Sequence, residues 1–459
     1  MAQTEKKKIE LKDVDKTLGR MDLMSIAVGQ IIGAGVMTMS IKALGMTGRS
    51  VNIAFVVAAI LTIFGAFPAI FACSVLRMRG GLYTQALVFV SEKFAGFYTF
   101  TNILGKLSMA MYAVGLVDYL VNLVPSLVPY HKWIVLLVMT VFFILNFFGT
   151  AYMAKVQTYM FYLLSVALII FTLFGLPKVH WSEYFGNELF GHPLFDNGMV
   201  GLFEAASYLT FATGGATVIL SFSADAKDPG KDIPFVVIVS TVFVATMYAF
   251  MASCIGGILP PEEVLAAGTL GPIAKYVLPT PLYYFFMVCG AMFALGTTLN
   301  SSIASALKPF VSACEDGWFP AWVGQLHPKT QSAWVLLIMF YLVNVPAVLW
   351  GLDVGVLGKW VLIIGNVTNF VISLGVIRLP KLFPEAWAKS PFHVSNGVLT
   401  LLLGGTAATI LMQAFLNLRG LSMSIILINV ATFVVATIYT EYRWKSGKVN
   451  IRPSYEVLL

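Results

Sequence analysis

Charge is what this chain has least of: Asp, Glu, Lys and Arg together make up 11% of its 459 residues, against about 25% in soluble domains. A chain that poor in charge and 58% hydrophobic cannot clothe a water-exposed surface, which excludes a soluble globular protein. Cysteine is as scarce. Cys73, Cys254, Cys289 and Cys314 sit in or beside separate apolar stretches with no CxxC spacing, so neither a disulfide framework nor a zinc site is indicated. His131, His180, His192, His327 and His393 are scattered through connections instead of gathering near a nucleophile or a metal cluster, which argues against an enzyme. No Gly-rich phosphate loop ending in Lys and a hydroxyl residue occurs, and no polar region could house a nucleotide-binding domain, so an ATP-driven pump is not expected. The basic start, Lys6 to Lys16, runs through Asp13 and Asp15 into a full-length apolar stretch without a short apolar core and cleavage site, so a cleaved leader is not expected either.

What the chain has in abundance is apolar length, with a mean hydropathy of +0.84. Apolar runs bounded by charge, Pro or Gly give about twelve segments of spanning length, starting near residues 21, 52, 84, 132, 152, 197, 234, 281, 332, 355, 396 and 421. The expected fold is therefore all-α: a single integral membrane domain, 1–459, bathed in lipid. Among the 29 Lys and Arg, only Lys42, Arg49, Lys132, Lys178, Lys275 and Arg419 fall on one side and Lys106 and Lys359 within segments. The remainder share the side of the termini, which positive-inside bias makes cytoplasmic in a plasma membrane. Basic loops facing anionic lipid also account for the net charge of +7 without any nucleic acid. Two longer outer connections, 177–196 and 259–280, carry Pro260, Pro261, Pro272, Pro279 and Pro281 and are placed to cover the outer mouth.

Segments one and six are interrupted by glycine, at Gly33-Ala34-Gly35 and at Phe211-Ala212-Thr213-Gly214-Gly215. Glycine lets backbone leave a helix, and freed amides and carbonyls at membrane depth need a partner other than lipid. A half-helix beginning after Gly35 presents free N–H groups and a positive dipole end, which suit a carboxylate. Gly29 and Gly33 alone would equally make a close-packing face. The matching break five segments later favours two halves of five with inverted topology, and corresponding interrupted helices in such repeats mark a transporter's midplane site. The halves run 21–177 and 197–380, with a cytoplasmic N-terminus 1–20, accessory helices eleven and twelve over 396–440, and a cytoplasmic tail 441–459.

The residues resemble the amino acid-polyamine-organocation (APC) superfamily, in its amino acid permease branch. Ile32-Gly33-Ala34-Gly35-Val36 resembles the family's I-G-S-G-I segment, and Arg79-Gly80-Gly81-Leu82-Tyr83 its P-x-G-G-x-Y turn. Phe211 to Gly215 is similar to F-A-Y-x-G, and Asp228-Pro229-Gly230-Lys231-Asp232-Ile233-Pro234 to the N-P-x-x-x-I-P loop. Asn300, Glu315-Asp316-Gly317-Trp318-Phe319-Pro320 and His327-Pro328-Lys329 look like the family's cytoplasmic hinge. The resemblance implies a 5+5 inverted-repeat core with broken helices 1 and 6, and a zwitterion held by backbone at Ile32, Gly33, Ala34, Gly35, Phe211, Ala212, Thr213 and Gly214. The carboxylate would meet amides at Ala34 and Gly35, the ammonium carbonyls of Ile32, Phe211, Ala212 and Gly214, and Phe211 would be an aromatic gate facing a wall from Met109 and Tyr112.

Departures from the family pattern bear on coupling. Thr213 and Ala216 stand where relatives carry larger residues, and Leu164 stands where many sodium-independent relatives carry a lysine in segment five; Lys155, nearer the helix end, reads as an interfacial charge. Asn300, Ser301 and Ser302 offer oxygens for a sodium ion together with carbonyls of segment one, or else the serines bond their own helix. Glu204, before the segment-six break, is a candidate proton or cation site, Asp118 an interfacial acid, and Lys106 a partner for either. The expectation is a secondary transporter of amino acids working by alternating access, with segments one, two, six and seven moving against three, four, eight and nine. Exchange is preferred, with sodium- or proton-coupled symport second and transport of polyamines or other cationic amines third. No cofactor beyond that sodium ion and no obligate protein partner is expected.

Overall fold

The computed structural model describes residues 16, 18–33, 35–148, 150–330, 332–352, 354–419, 421–452 and 454–458, without the side chains of 150–155, 158 and 354. All twelve apolar segments are helical. Ten helices among the described residues are long and apolar enough to cross a membrane. The first of them, Arg20–Val75, leaves its helix after Ile31 and again at Gly48–Ser50, so it carries segments one and two; segment nine, Trp334–Leu349, is apolar but shorter.

The helix ends follow local chemistry. Segment seven, Pro229–Gly257, begins with proline in the first turn, where no N–H is missed. Segment three begins at Glu92, not near 84, because Ser91 caps it by accepting from the Phe94 N–H at 3.1 Å. The apolar run before it forms a separate short helical stretch, Leu82–Gln85 and Ala86–Val90, set off by Gly80 and Gly81 at φ of 93° and 59°. An uninterrupted run of apolar letters hid that turn.

Segments one, two, six and seven pack on one another, and segments three, four, five, eight and nine form a second group; segment ten lies beside three, two and eleven. Connections sit on opposite faces in a regular way. The stretch Leu82–Val90 follows segment two on the face of the termini, whereas Pro261–Ala267 and Gly271–Val277 follow segment seven on the other.

The face of the termini is tied by the C-terminal residues. Tyr455–Val457 pairs antiparallel with Leu76–Met78, and Asp316, just beyond segment eight, accepts from Tyr83 at 2.5 Å and from the Arg452 N–H at 2.9 Å. Burial holds the Asp316 carboxyl above its ordinary range. Gly317 turns there at φ 84°, and a Cβ would lie 2.1 Å from the Lys448 carbonyl oxygen, so only glycine fits. On the opposite face, Arg49 is 2% exposed and donates to the carbonyls of Gly186 and His192, while Tyr184 donates to the Arg49 carbonyl at 2.5 Å. The 177–196 connection is thereby anchored over the end of segment one, as a cover requires.

That connection is also joined to the next one. His192 Nε2 lies 2.6 Å from Glu262 Oε1 and Nδ1 3.3 Å from Asp196. The hydrogen bond to Glu262, above all, raises His192 above its ordinary value. A raised folded value means the tie is fully present below the unfolded value of about 6.5 and fades as pH rises through the raised one. Amide exchange at 188–196, corrected for intrinsic rate, should therefore be slower at about pH 5.5 than at about pH 8. Glu262→Gln should remove the difference, and equal protection at both pH values in the unaltered protein would refute the tie.

Candidate functional site

The two interruptions meet. After Ile31 the chain turns extended, with Ile32 at φ −74° and ψ 92°, and resumes as a wide turn Gly35–Met39 followed by helix Ser40–Thr47. Segment six is regular through Thr213 and then tightens into a 3₁₀ stretch, Gly214–Phe222, instead of unwinding. A Cβ on Gly35 would lie 2.4 Å from the Ala212 Cβ and 2.8 Å from its Cα; one on Gly215 would lie 2.8 Å from the Gln30 carbonyl oxygen. A Cβ on Gly33 would strike Thr298 of segment eight at 1.8 Å. These glycines let two backbones cross at a distance no side chain allows.

The freed carbonyls are taken by neighbours. Tyr248 of segment seven donates to the Ile31 carbonyl at 2.8 Å, Thr298 to Ile32 at 3.3 Å, and Tyr119 of segment three to Met37 at 2.6 Å, while the Tyr119 oxygen also accepts from the Leu270 N–H at 3.2 Å. Each carbonyl has a second lone pair, so those facing a cavity can still accept. Ala34 lies outside the described residues.

Beside the crossing is a cavity of about 350 Å³, walled by Gln30, Phe211, Gly214, Tyr112, Ser302 and Gly365 among others, and reaching Leu82, Ser221 and Asn369 toward the face of the termini. At Gly214 nothing stands within 4 Å of a would-be Cβ, so its backbone opens onto this space. The Phe211 and Tyr112 rings lie 6.2 Å apart, tilted by 36°. Beyond them, on the other face, a second cavity of about 780 Å³ is lined by Thr38, Asp118, His131, Lys132 and Thr269. No residue lines both cavities. Met109 is buried away from either.

Other expected residues fall into three places. Thr213 is fully buried and turned to segment two, its hydroxyl 2.6 Å from that of Thr62. Asn300, Ser301 and Ser302 belong to a polar cluster: Ser301 donates to Gln30 Oε1 at 2.5 Å and to the Thr297 carbonyl at 2.8 Å, and Gln30 Nε2 donates to Ser302 at 3.1 Å. Asn146 donates to Asn300 at 2.9 Å, and Asn300 to Gln157 at 3.1 Å. Neutral amides of segments one, four and five thus hold the oxygens that sequence reading offered to an ion. Lys155's side chain lies outside the described residues.

The acid pairing differs from expectation. Glu204 lies 3.6 Å from Lys359 of segment ten, and Asp118 lies 2.8 Å from His131. Lys106 pairs with neither. It sits where segment three is interrupted, between Glu92–Gly105 and Ser108–Leu123, and lines the central cavity. Helix rotation decides this, and sequence spacing across separate helices cannot supply it. Gln30, Tyr119, Tyr248 and Gln157 were missed by sequence reading; their signal is a polar group in an otherwise apolar segment.

The crossing yields a sharp expectation. Gly35→Ala should cost about 1–3 kcal/mol of stability by overpacking and abolish transport, whereas Gly404→Ala in segment eleven, with nothing within 4 Å, should change neither melting temperature nor uptake. Adding Ala212→Gly to Gly35→Ala should restore part of the loss. A single variant as stable as the unaltered protein would mean the backbones are not in contact.

Comparison with known proteins matches residues 18–444 to the family described as amino acid permease. A branched-chain amino acid permease of Bacillus subtilis is 24% identical over 399 residues, 82% of this chain and 83% of its own. Cationic amino acid transporter 4 of Mus musculus is 25% identical over 426 residues, 83% of this chain and 62% of its own. Large neutral amino acids transporter small subunit 2 of Homo sapiens is 24% identical over 335 residues, 68% of this chain and 60% of its own. Because the match takes in both interrupted segments and every wall of the central cavity, the chain belongs to the amino acid permease family of the APC superfamily: it is a multi-pass membrane transport protein and not an enzyme.

Proposed function

We propose that the protein carries amino acids by alternating access and works by exchange. One observation carries this reading: a central cavity lined by Gln30, just before the first interruption, and by Phe211, Gly214 and Gly215 at the second, with the Phe211 and Tyr112 rings 6.2 Å apart in its wall. An amino acid in it would set its carboxylate at the amides that open the half-helix at Ala34 and Gly35, and its ammonium at carbonyls of Ile32, Phe211, Ala212 and Gly214. Phe211 closes over it. An amine without a carboxylate would leave those amides unpaired, which ranks polyamines lower.

Support for twelve crossings in an inverted 5+5 arrangement comes from paired irregularities. Segments one and six are interrupted, and so are three, after Gly105, and eight, at the wide turn Phe286–Met292. Short helices follow segments two and seven on opposite faces. The repeats then run 21–177 and 197–380, with 396–440 accessory, and the basic face with both termini is cytoplasmic in a plasma membrane.

Exchange is favoured because the cluster at Gln30, Ser301, Ser302, Asn300, Gln157 and Asn146 is closed by neutral hydrogen bonds. Sodium wants several free oxygen ligands, and the N–H side of an amide is a poor neighbour for a cation. The empty carrier then has no ion to drive its return. Proton coupling is the second reading, resting on the Glu204–Lys359 pair between segments six and ten.

Uptake of a labelled amino acid mixture into protein-containing liposomes separates these readings. Exchange predicts uptake only into vesicles preloaded with unlabelled amino acids, indifferent to a sodium gradient. Accumulation in empty vesicles driven by sodium would overturn it, and accumulation driven by protons and lost in Glu204→Gln would establish the second reading instead.

A further inference from the structure

Among the described residues no acid lines the central cavity, and several acids are paired elsewhere. Glu204 lies with Lys359, Asp118 with His131, Asp225 with Lys308 at 2.5 Å, Asp232 with Arg20 at 2.7 Å and Glu315 with Arg79 at 3.1 Å. Among the described residues that line the cavity, Lys106 is the one charged side chain; Tyr98 and Tyr112 are the other titratable groups there. No carboxylate or hydrogen-bond acceptor is assigned to its ammonium among the described residues, although its own backbone N–H is used, donating to Ile103 and Leu104.

An ammonium at membrane depth is costly unless something pairs with it. The surrounding side chains offer only neutral oxygens, such as those of Asn102 and Ser302, which can accept a hydrogen bond but bring no charge to offset that of the ammonium. In the reading proposed above, the substrate's own carboxylate goes to the segment-one amides. What remains is the substrate's side chain.

Resting on the amino acid transport reading above, we propose that Lys106 is a specificity-determining residue and that the preferred substrates are amino acids with an acidic side chain, whose carboxylate pairs with its ammonium. The lysine and a zwitterion with one further negative charge leave the loaded cavity neutral. A cationic amino acid would place two like charges in it, so selection here runs against the chemistry named for the mouse relative.

The test uses the full-length protein in preloaded liposomes, with labelled amino acid mixture competed by unlabelled glutamate, aspartate, glutamine, lysine or arginine. Glutamate and aspartate should compete at concentrations lower by on the order of tenfold or more than glutamine, as expected where a site is built for one polar group, with lysine and arginine weakest. Lys106→Met should shift the preference to glutamine, and Lys106→Arg should retain the acidic preference. Glutamine or arginine competing as well as glutamate in the unaltered protein would sink this assignment while leaving amino acid transport standing, as would an unchanged acidic preference in Lys106→Met. No uptake of any amino acid would instead fell the transport reading itself.

Discussion

Two backbones crossing without side chains between them is the constraint on which the rest of this structure depends. Gly35 lies against Ala212, and Gly215 against Gln30 and Ile31. The contact is reciprocal: each interruption supplies the gap that the other fills. Once the helices are that close, carbonyls released by the break cannot reach water, and an unsatisfied backbone group in a membrane costs several kcal/mol. The surrounding segments respond one by one, with hydroxyls of Tyr248, Thr298 and Tyr119 taking Ile31, Ile32 and Met37. Tyr119 then reaches Leu270, so the same demand fixes a connection on one face of the protein.

Electrostatics divides the interior into two unlike regions. Near Asn300 the polar groups are neutral, hydrogen-bonded to one another and span segments one, four, five and eight, which ties scaffold to interruption without charge. Across the cavity stands Lys106, charged and with no partner assigned among the described residues. A hydrogen-bonded amide cluster is stable as it is, whereas a lone cation is stabilised most by a ligand. Binding energy can therefore come from the lysine side while the amide side keeps its geometry.

Much of this was legible in the sequence because the glycine interruptions and the apolar lengths are local signals. The breaks at Gly33–Gly35 and Gly214 follow from residue type and order, whereas the nearness of Phe211 to segment three was implied by the family resemblance, and only the structure tells Tyr112 from Met109. The short helix Leu82–Val90 was not legible, since its apolar letters continue those of segment three and only the backbone of Gly80 and Gly81 separates them. Nor was the strand Tyr455–Val457, which is made by pairing with residues far away in sequence. Acid and base partners were misread for the same reason. Glu204 meets Lys359 through the rotation and tilt of separate helices, which hydrophobic periodicity constrains weakly when all faces are apolar.

Under the alternating access proposed above, movement between the two cavities would break some of these contacts and spare others. The packing of segments one, two, six and seven on one another, including Thr62 on Thr213, can travel as one body. The bonds from segment one to segments three and eight, Tyr119 to Met37 and Gln30 to Ser301 and Ser302, cross from that body to the other group. On the face of the termini Lys308 to Asp225 and Arg79 to Glu315 cross in the same way. Single hydrogen bonds and exposed ion pairs each contribute about 1 kcal/mol or less, so crossings of this kind suit contacts that are made and unmade in turn. The contacts of Gly35 with Ala212 and of Gly215 with Gln30, which admit no slack, lie within that body and need not open, whereas Gly33 meets Thr298 of segment eight across the boundary.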